Sequence, residues 1–363
     1  MDRSRSTTRL GVGFGLLAAF SFGASAPFAQ RLVAHCDPQL LAGLLYLGAG
    51  LALMLAGLAR RQNEARVQRR DLPALAAIVI SGGVIAPVLL LIGLDQVSGV
   101  TGSLALNLEA PFTAVLAVWM FGEYLSRRAW LAGLVIVAGA TILGSGPGGS
   151  TASLIGVALI ALACIGWSID NNLTQRLTVR DPFVIVRIKT FGAAGTNLAI
   201  ALSRGVGLPA GWVTVAALAL GAVSYGLSVL FDAYALRLLG AAREAALFAT
   251  APFAGVVVAV VVLDERLSVS SVVALVVMAC GTAGLLTDRH QHAHQHAALE
   301  HDHRHVHDDH HQHTHARGVD THEPHSHLHQ HEDLVHTHAH ASDIHHRHKH
   351  RRRPGSPNGR IED

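Results

Sequence analysis

Charge is scarce in this sequence. Asp, Glu, Lys and Arg make up 15% of its 363 residues, against about a quarter in ordinary soluble domains. A length that would suit two or three such domains therefore needs another explanation. Cysteine is scarce as well: Cys36, Cys164 and Cys280 are the only three, two of them within apolar runs, and no disulfide framework is indicated. A basic face is also lacking, because the positive charges are scattered between apolar runs, which argues against a nucleic-acid partner. No nucleotide-binding or covalent-catalysis signature appears, so no enzyme activity is expected.

What abounds is apolar sequence. Half of the residues are hydrophobic and the mean hydropathy is +0.37. The averages hide two unlike parts. Residues 1–287 hold 19 Lys+Arg and 13 Asp+Glu, a formal +6, whereas residues 288–363 hold 9 and 12, a formal −3 with His neutral. A bilayer core of about 30 Å needs about 20 apolar residues per helix. The runs Leu10–Gln30, Pro38–Ala59, Leu72–Leu94, Gly205–Phe231, Ala245–Leu263 and Leu267–Thr287 each lack Asp, Glu, Lys and Arg. The charge-free run from Ala129 to Ile169 is too long for one helix, and the Gly/Pro cluster from Gly144 to Gly149 divides it in two. Thr101–Phe121, carrying Glu109, and Phe183–Ser203, carrying Arg187 and Lys189, complete ten expected spans.

The arginines set the orientation, because short cytoplasmic loops collect them. With the N-terminus inside, fourteen fall in inner segments and three, Arg31, Arg204 and Arg266, in outer loops. Both termini are therefore expected in the cytoplasm, with the protein in the inner (plasma) membrane. Arg3, Arg5 and Arg9 followed by an apolar run to Ala24-Ser25-Ala26 also fit a signal peptide, which would leave nine spans. The retained span is the preferred reading, since the run is long for a signal peptide and belongs to a repeat.

That repeat has a shift of 141 to 145 residues. Ala110-Pro111-Phe112, running on to Gly122-Glu123-Tyr124-Leu125-Ser126, matches Ala251-Pro252-Phe253 running to Asp264-Glu265-Arg266-Leu267-Ser268. Gly99 matches Gly240, and Gln30-Arg31-Leu32 matches Gln175-Arg176-Leu177. Five spans per half force the halves into opposite orientation, and the loop arginines reverse accordingly: five between Arg60 and Asp71, one between Arg204 and Gly211. The expected organisation is a cytoplasmic N-terminus (1–9), two five-helix repeats (10–145 and 151–287) and a tail (288–363). Two opposed halves around a shared site are what alternating access needs.

With these paired segments the sequence resembles the drug/metabolite transporter superfamily, and within it the EamA-type ten-helix branch, over roughly residues 10–287. Asp264 departs from the glycine usual there. The resemblance implies an all-α integral membrane fold around a central cavity. It also implies movement, often export, of amino acids or other small metabolites.

Ionisable and polar residues at membrane depth are the site candidates, since they are costly to expose to lipid. Trp167, Asp170, Asn171 and Asn172 cluster in the sixth span. If the following turn is centred between Val179 and Arg180, Asp170 comes level with Lys189, and Asn172 with Arg187. The Asp170–Lys189 pair reads either as a structural clamp, with Lys189 snorkelling, or as a pair that opens when substrate or proton competes. Glu109 reads as a proton-coupling or substrate-amine site, or as a carboxyl neutralised by burial. Pro111 and Pro252 remove backbone donors and are expected to bend their helices. Tyr225, Asn107 and Asn197 read as interhelical hydrogen-bonding groups, with Tyr225 also a substrate candidate. Gly192, Gly195, Ala140 and Gly144 read as close-packing positions. His35-Cys36-Asp37 is a weak metal triplet.

The tail holds 24 histidines between His290 and His350 and almost nothing to form a core, so it is expected to be disordered. Imidazole suits Zn, Ni, Co and Cu. The metal candidates are His292, His294, His296, His301, His303, His305, His307, His310, His311, His313 and His315. No cofactor is expected to be required. Three readings follow: a metabolite exporter with a metal-binding tail, a divalent-metal exporter fed by that tail, and a non-transporting membrane-anchored sensor or buffer. Against the second, the spans contain no His and no carboxylate or thiolate cluster.

Overall fold

The computed structural model describes residues 2–58, 67–121, 125–145, 151–177, 180–239, 247–287, 290–296, 299–305, 325–331 and 334–340. Among the described residues eight helices are long and apolar enough to cross a membrane. They are, in order, Arg9–Val33, Pro38–Leu58, Arg69–Leu94, Gly99–Met120, Arg127–Ser145, Ser153–Thr174, Phe183–Ser203 and Gly211–Asp232. Two shorter apolar helices, Ala251–Val261 and Val269–Leu285, stand in the ninth and tenth places. Large apolar side chains such as Trp119 (81% exposed) and Val269 (80%) face outward, as suits a bundle whose solvent is lipid.

Span boundaries differ from the apolar runs where the backbone turns. The seventh span closes in a Schellman motif: Gly205 takes φ +74°, its N–H bonds Leu202 O, and Val206 N–H bonds Ala201 O. The eighth span accordingly starts at Gly211 instead of Gly205. The ninth apolar run is broken by a turn at residues 249–250. Its described helix opens at Ala251, with Pro252 in the first turn, where a missing N–H costs no hydrogen bond. Pro252 therefore starts a helix and does not bend one. Asp264, with φ 54°, occupies a left-handed position, where Gly is the default and Asp among the tolerated alternatives.

Packing obeys the exchange of the two halves. The second span packs on the seventh, the fifth on the tenth and the fourth on the ninth. The first packs on the eighth as the sixth packs on the third, and the ninth on the first as the fourth on the sixth. Loop contacts fix the ends. Arg31 donates to Leu263 O at 3.0 Å, Asp37 pairs with Arg204 at 3.6 Å, and Glu265 accepts from the N–H groups of Gly99 (3.1 Å) and Val100 (3.0 Å). These collect four loops at one end. At the other, Asp71 pairs with Arg180 at 2.9 Å. Since the ninth span runs toward Leu263, its start lies opposite the loop at Gly99, as inverted repeats require.

Two further repeat features went unread in the sequence. Asp37-Pro38 and Asp181-Pro182 both open a span. Asp37 accepts from the N–H groups of Gln39 and Leu40, and Asp181 from that of Phe183, the helix-capping role of a short carboxylate. The third and eighth spans each widen to a π turn, over Val79–Ile85 and Ala222–Leu227, matching Ser81 and Gly83 to Ser224 and Gly226.

Beyond the bundle lies the histidine-rich tail. Four strands, β1 (His290–His296), β2 (Leu299–His305), β3 (His325–His331) and β4 (Leu334–His340), form two antiparallel ladders, β1 with β4 and β2 with β3. The alternation of His with other residues has the period of a strand, although a two-stranded ladder is marginal by itself. His307, His310, His311, His313, His315 and the Gly122-Glu123-Tyr124 motif lie outside the described residues.

Candidate substrate and coupling site

The site begins with a proline. In an α-helix residue 87 would bond the carbonyl of Gly83; in π register it would bond that of Gly82. Pro87 has no N–H and can do neither, while Ala86 N–H reaches back to Ser81 O. Both freed carbonyls are taken by side chains from neighbouring spans. Gly82 O accepts from Tyr46 Oη at 2.8 Å and Trp167 Nε1 at 3.0 Å, and Gly83 O accepts from Asn197 Nδ2 at 2.9 Å. π turns recur at functional sites for this reason: they present backbone acceptors at bundle depth. Pro87, Gly82 and Tyr46 are thus site residues that sequence reasoning missed. Pro87 following Gly82-Gly83 inside an apolar run was the available signal.

Gly82 also makes room for the ion pair. A Cβ there would lie 2.0 Å from Asp170 Oδ2. Asp170, 1% exposed, accepts from Lys189 Nζ through Oδ2 and from Thr174 Oγ1 through Oδ1 at 3.1 Å. The hairpin geometry expected for Asp170 and Lys189 is the one observed. Asn172 instead turns from Arg187 toward the fourth span: its Nδ2 donates to Thr113 O (3.2 Å) and Ser168 O (2.8 Å), leaving its buried Oδ1 without a partner among the described residues. An acceptor buried without a donor costs about 1–3 kcal/mol.

Glu109 sits where the fourth span passes through a 3₁₀ turn, Leu106–Leu108, just before buried Pro111. Asn171 Nδ2 donates to its Oε1 at 2.7 Å, and Ser168 Oγ to its backbone carbonyl at 3.2 Å. Among the described residues no ion pair involves Glu109. Asn171 is exposed, yet it follows outward-facing Leu162, 51% exposed, by nine residues. That spacing is about 180° around a helix, so Asn171 is accessible on the inner side of its span, three residues before the span ends near the Asp71 end of the bundle.

Tyr225 is buried in the π turn of the eighth span, 5.7 Å from the Tyr46 ring and 6.0 Å from that of Phe22. Asn107 and Asn197 act as cross-span bonds: Thr282 Oγ1 donates to Asn107 Oδ1 at 3.4 Å, and Gln39 Nε2 to Asn197 Oδ1 at 2.6 Å. Glu109, Trp167, Asp170, Asn171, Asn172 and Lys189 therefore meet in one region, with Tyr225 joined to it through Tyr46.

The profile of the EamA-like transporter family matches residues 9–145 and again residues 154–287. The chain belongs to that family. An uncharacterized transporter of Methanothermobacter thermautotrophicus is 29% identical over 285 residues, 73% of this chain and 83% of the relative. A protein of known crystal structure superposes with a TM-score of 0.58 at 19% identity, covering 78% of this chain and 98% of that one, which shows the shared fold. As an EamA-like transporter the protein is an integral membrane protein that moves small substrates.

The His35-Cys36-Asp37 triplet does not form a metal site. His35 stacks edge-on against Trp212 at 5.3 Å, and Asp37 is engaged with helix N–H groups and Arg204. Burial, and then the neighbouring Asp37 charge, push the Cys36 thiol up to about 11. A raised pKa leaves little thiolate at neutral pH, and the thiolate is the reactive form. At pH 8 Cys36 should therefore alkylate on the order of a hundredfold more slowly than free cysteine. Mass-spectrometric timing of iodoacetamide labelling checks this, and a rate near that of free cysteine would refute the buried, protonated state.

Proposed function

We propose that the protein is a secondary transporter exporting a small organic metabolite that carries an amino group, an amino acid or similar, by alternating access. The observation that carries this is Glu109, a carboxylate at mid-span held by a neutral amide, beside an inward-facing Asn171 that is open to solvent. A substrate ammonium would complete the charge there, and the partnerless Asn172 Oδ1 offers a further acceptor. A proton taken by Glu109 in the return step would couple movement to the proton gradient. The arginine distribution supports the Asp71 end and both termini lying in the cytoplasm of the plasma membrane, so that the accessible side of the site faces the cell interior. Asp170 and Lys189 neutralise each other nearby, leaving Glu109 as the net charge offered to substrate.

The test compares metabolites and metals in cells with and without the gene. An amine-bearing metabolite should accumulate without it, should be cleared by the wild-type chain, and should stay high with Glu109→Gln at normal protein levels. Full clearance by Glu109→Gln, with unchanged pH dependence, would refute the role of Glu109. Loss of metal tolerance as the sole phenotype would replace the metabolite with a divalent ion. Among the described residues of the helical bundle no group of three or more His, Cys, Asp or Glu could hold one.

A further inference from the structure

The strand register of the tail pairs its histidines. In the ladder of β1 with β4, His290, His292 and His294 stand opposite His340, His338 and His336. In the ladder of β2 with β3, His301, His303 and His305 stand opposite His329, His327 and His325. Both ladders keep the same register between the strands β1 and β2 on one side and β4 and β3 on the other. Period two puts the histidines of each strand on one face.

The spacing of the histidines keeps this pairing on six rungs. Histidine alternation slips phase between His296 and His301, and slips by the same five-residue step between His331 and His336. In this register the two slips are offset by two residues, so His296 faces Leu334 and Leu299 faces His331 at the break, while histidine meets histidine on three rungs to either side of it. Sliding the arms by two residues keeps the match, whereas sliding by one destroys it, because alternate residues change face.

Opposed residues of an antiparallel pair have Cα atoms about 4.5–5.5 Å apart, and the next residue on the same face lies about 7 Å along the strand. Two successive rungs thus offer four imidazole-bearing positions around one point, and imidazole is a ligand for Zn, Ni and Cu. We propose that the two arms of the tail bind divalent d-block ions between them, each ion shared across a strand pair, so that metal binding and strand pairing are one event. An isolated two-stranded ladder is marginal in water, and a shared ion supplies the missing cross-link, as in other small units that fold on metal. The partners added beyond the first arm are His325, His327, His329, His336, His338 and His340. This inference is independent of what the helical bundle transports.

Zn²⁺ alone is the probe, titrated into the full-length protein in detergent and followed by equilibrium dialysis and far-UV circular dichroism. The wild type should bind several ions, gain strand signal as it does so, and lose both to a chelator and below about pH 6.5, where His protonates. Replacing His301, His303 and His305 by Gln, or His325, His327 and His329 by Gln, should remove the same number of ions. Replacing all six should remove no more than either set, because the ions are shared. Losses that add, one set to the other, would show arms binding independently and would overturn the proposal, as would a wild type that takes up no Zn²⁺.

Discussion

Lys189→Met is expected to destabilise the protein by roughly 3–5 kcal/mol, the usual consequence of removing one partner from a buried ion pair. Asp170, the partner left behind, is 1% exposed and among the described residues retains only Thr174 as a side-chain donor. The converse change, Asp170→Asn, should cost less: the Lys189 side chain is 22% exposed, and a long stem can carry a stranded ammonium toward water. Combining the two should recover most of the loss, since a neutral pair leaves no buried charge uncompensated. Unfolding midpoints of the detergent-solubilised variants check the order: wild type, double variant, Asp170→Asn, Lys189→Met. Equal effects of the two single changes, with no recovery in the double, would show that the pair contributes nothing as a pair.

The second large effect lies where two spans touch backbone to backbone. A Cβ added at Gly221 in the eighth span would lie 1.9 Å from Leu45 O in the second, and one at Gly48 would lie 2.1 Å from Leu218 O. Overpacking commonly costs about 1–3 kcal/mol when side chains can yield. Here the obstacle is a carbonyl on a packed helix, so Gly221→Ala and Gly48→Ala should each cost at least about 3 kcal/mol, the top of that range. Gly195→Ala is the control. Nothing lies within 4 Å of its Cβ position, and Ala is the better helix former by about 0.5–1 kcal/mol. Gly195, expected from sequence to be a close-packing position, is therefore not one, whereas Gly192 meets Val79 at 3.1 Å and Gly144 meets Leu154 at 3.0 Å. Thermal unfolding in detergent should place both Gly221→Ala and Gly48→Ala well below the control. Parity among the three would mean that the second and eighth spans can part freely.

The membrane class and the five-plus-five organisation are legible from residues alone because lipid imposes a one-dimensional rule. Each crossing must be about 20 apolar residues with its backbone bonded internally, and that rule can be checked by reading along the chain. The level placement of Asp170 and Lys189 is legible for the same reason, since a hairpin of two helices has a fixed rise. Asn171 and Glu109 are singled out by their cost in lipid, but their contact is not predictable, because it depends on how the fourth and sixth spans rotate about their axes.

Order along the chain already tells which segments enter the bilayer, how they alternate, and which polar groups they carry with them. Which of those groups meet is a property of the folded bundle. The π turn before Pro87, the carbonyls it frees for Tyr46, Trp167 and Asn197, and the choice of Gly48 and Gly221 over Gly195 as contact points all depend on helix rotation and crossing. The physical reason is that in lipid the hydrophobic pattern no longer distinguishes one face of a helix from another. Rotation is then set by close packing and a few hydrogen bonds between residues far apart in the chain.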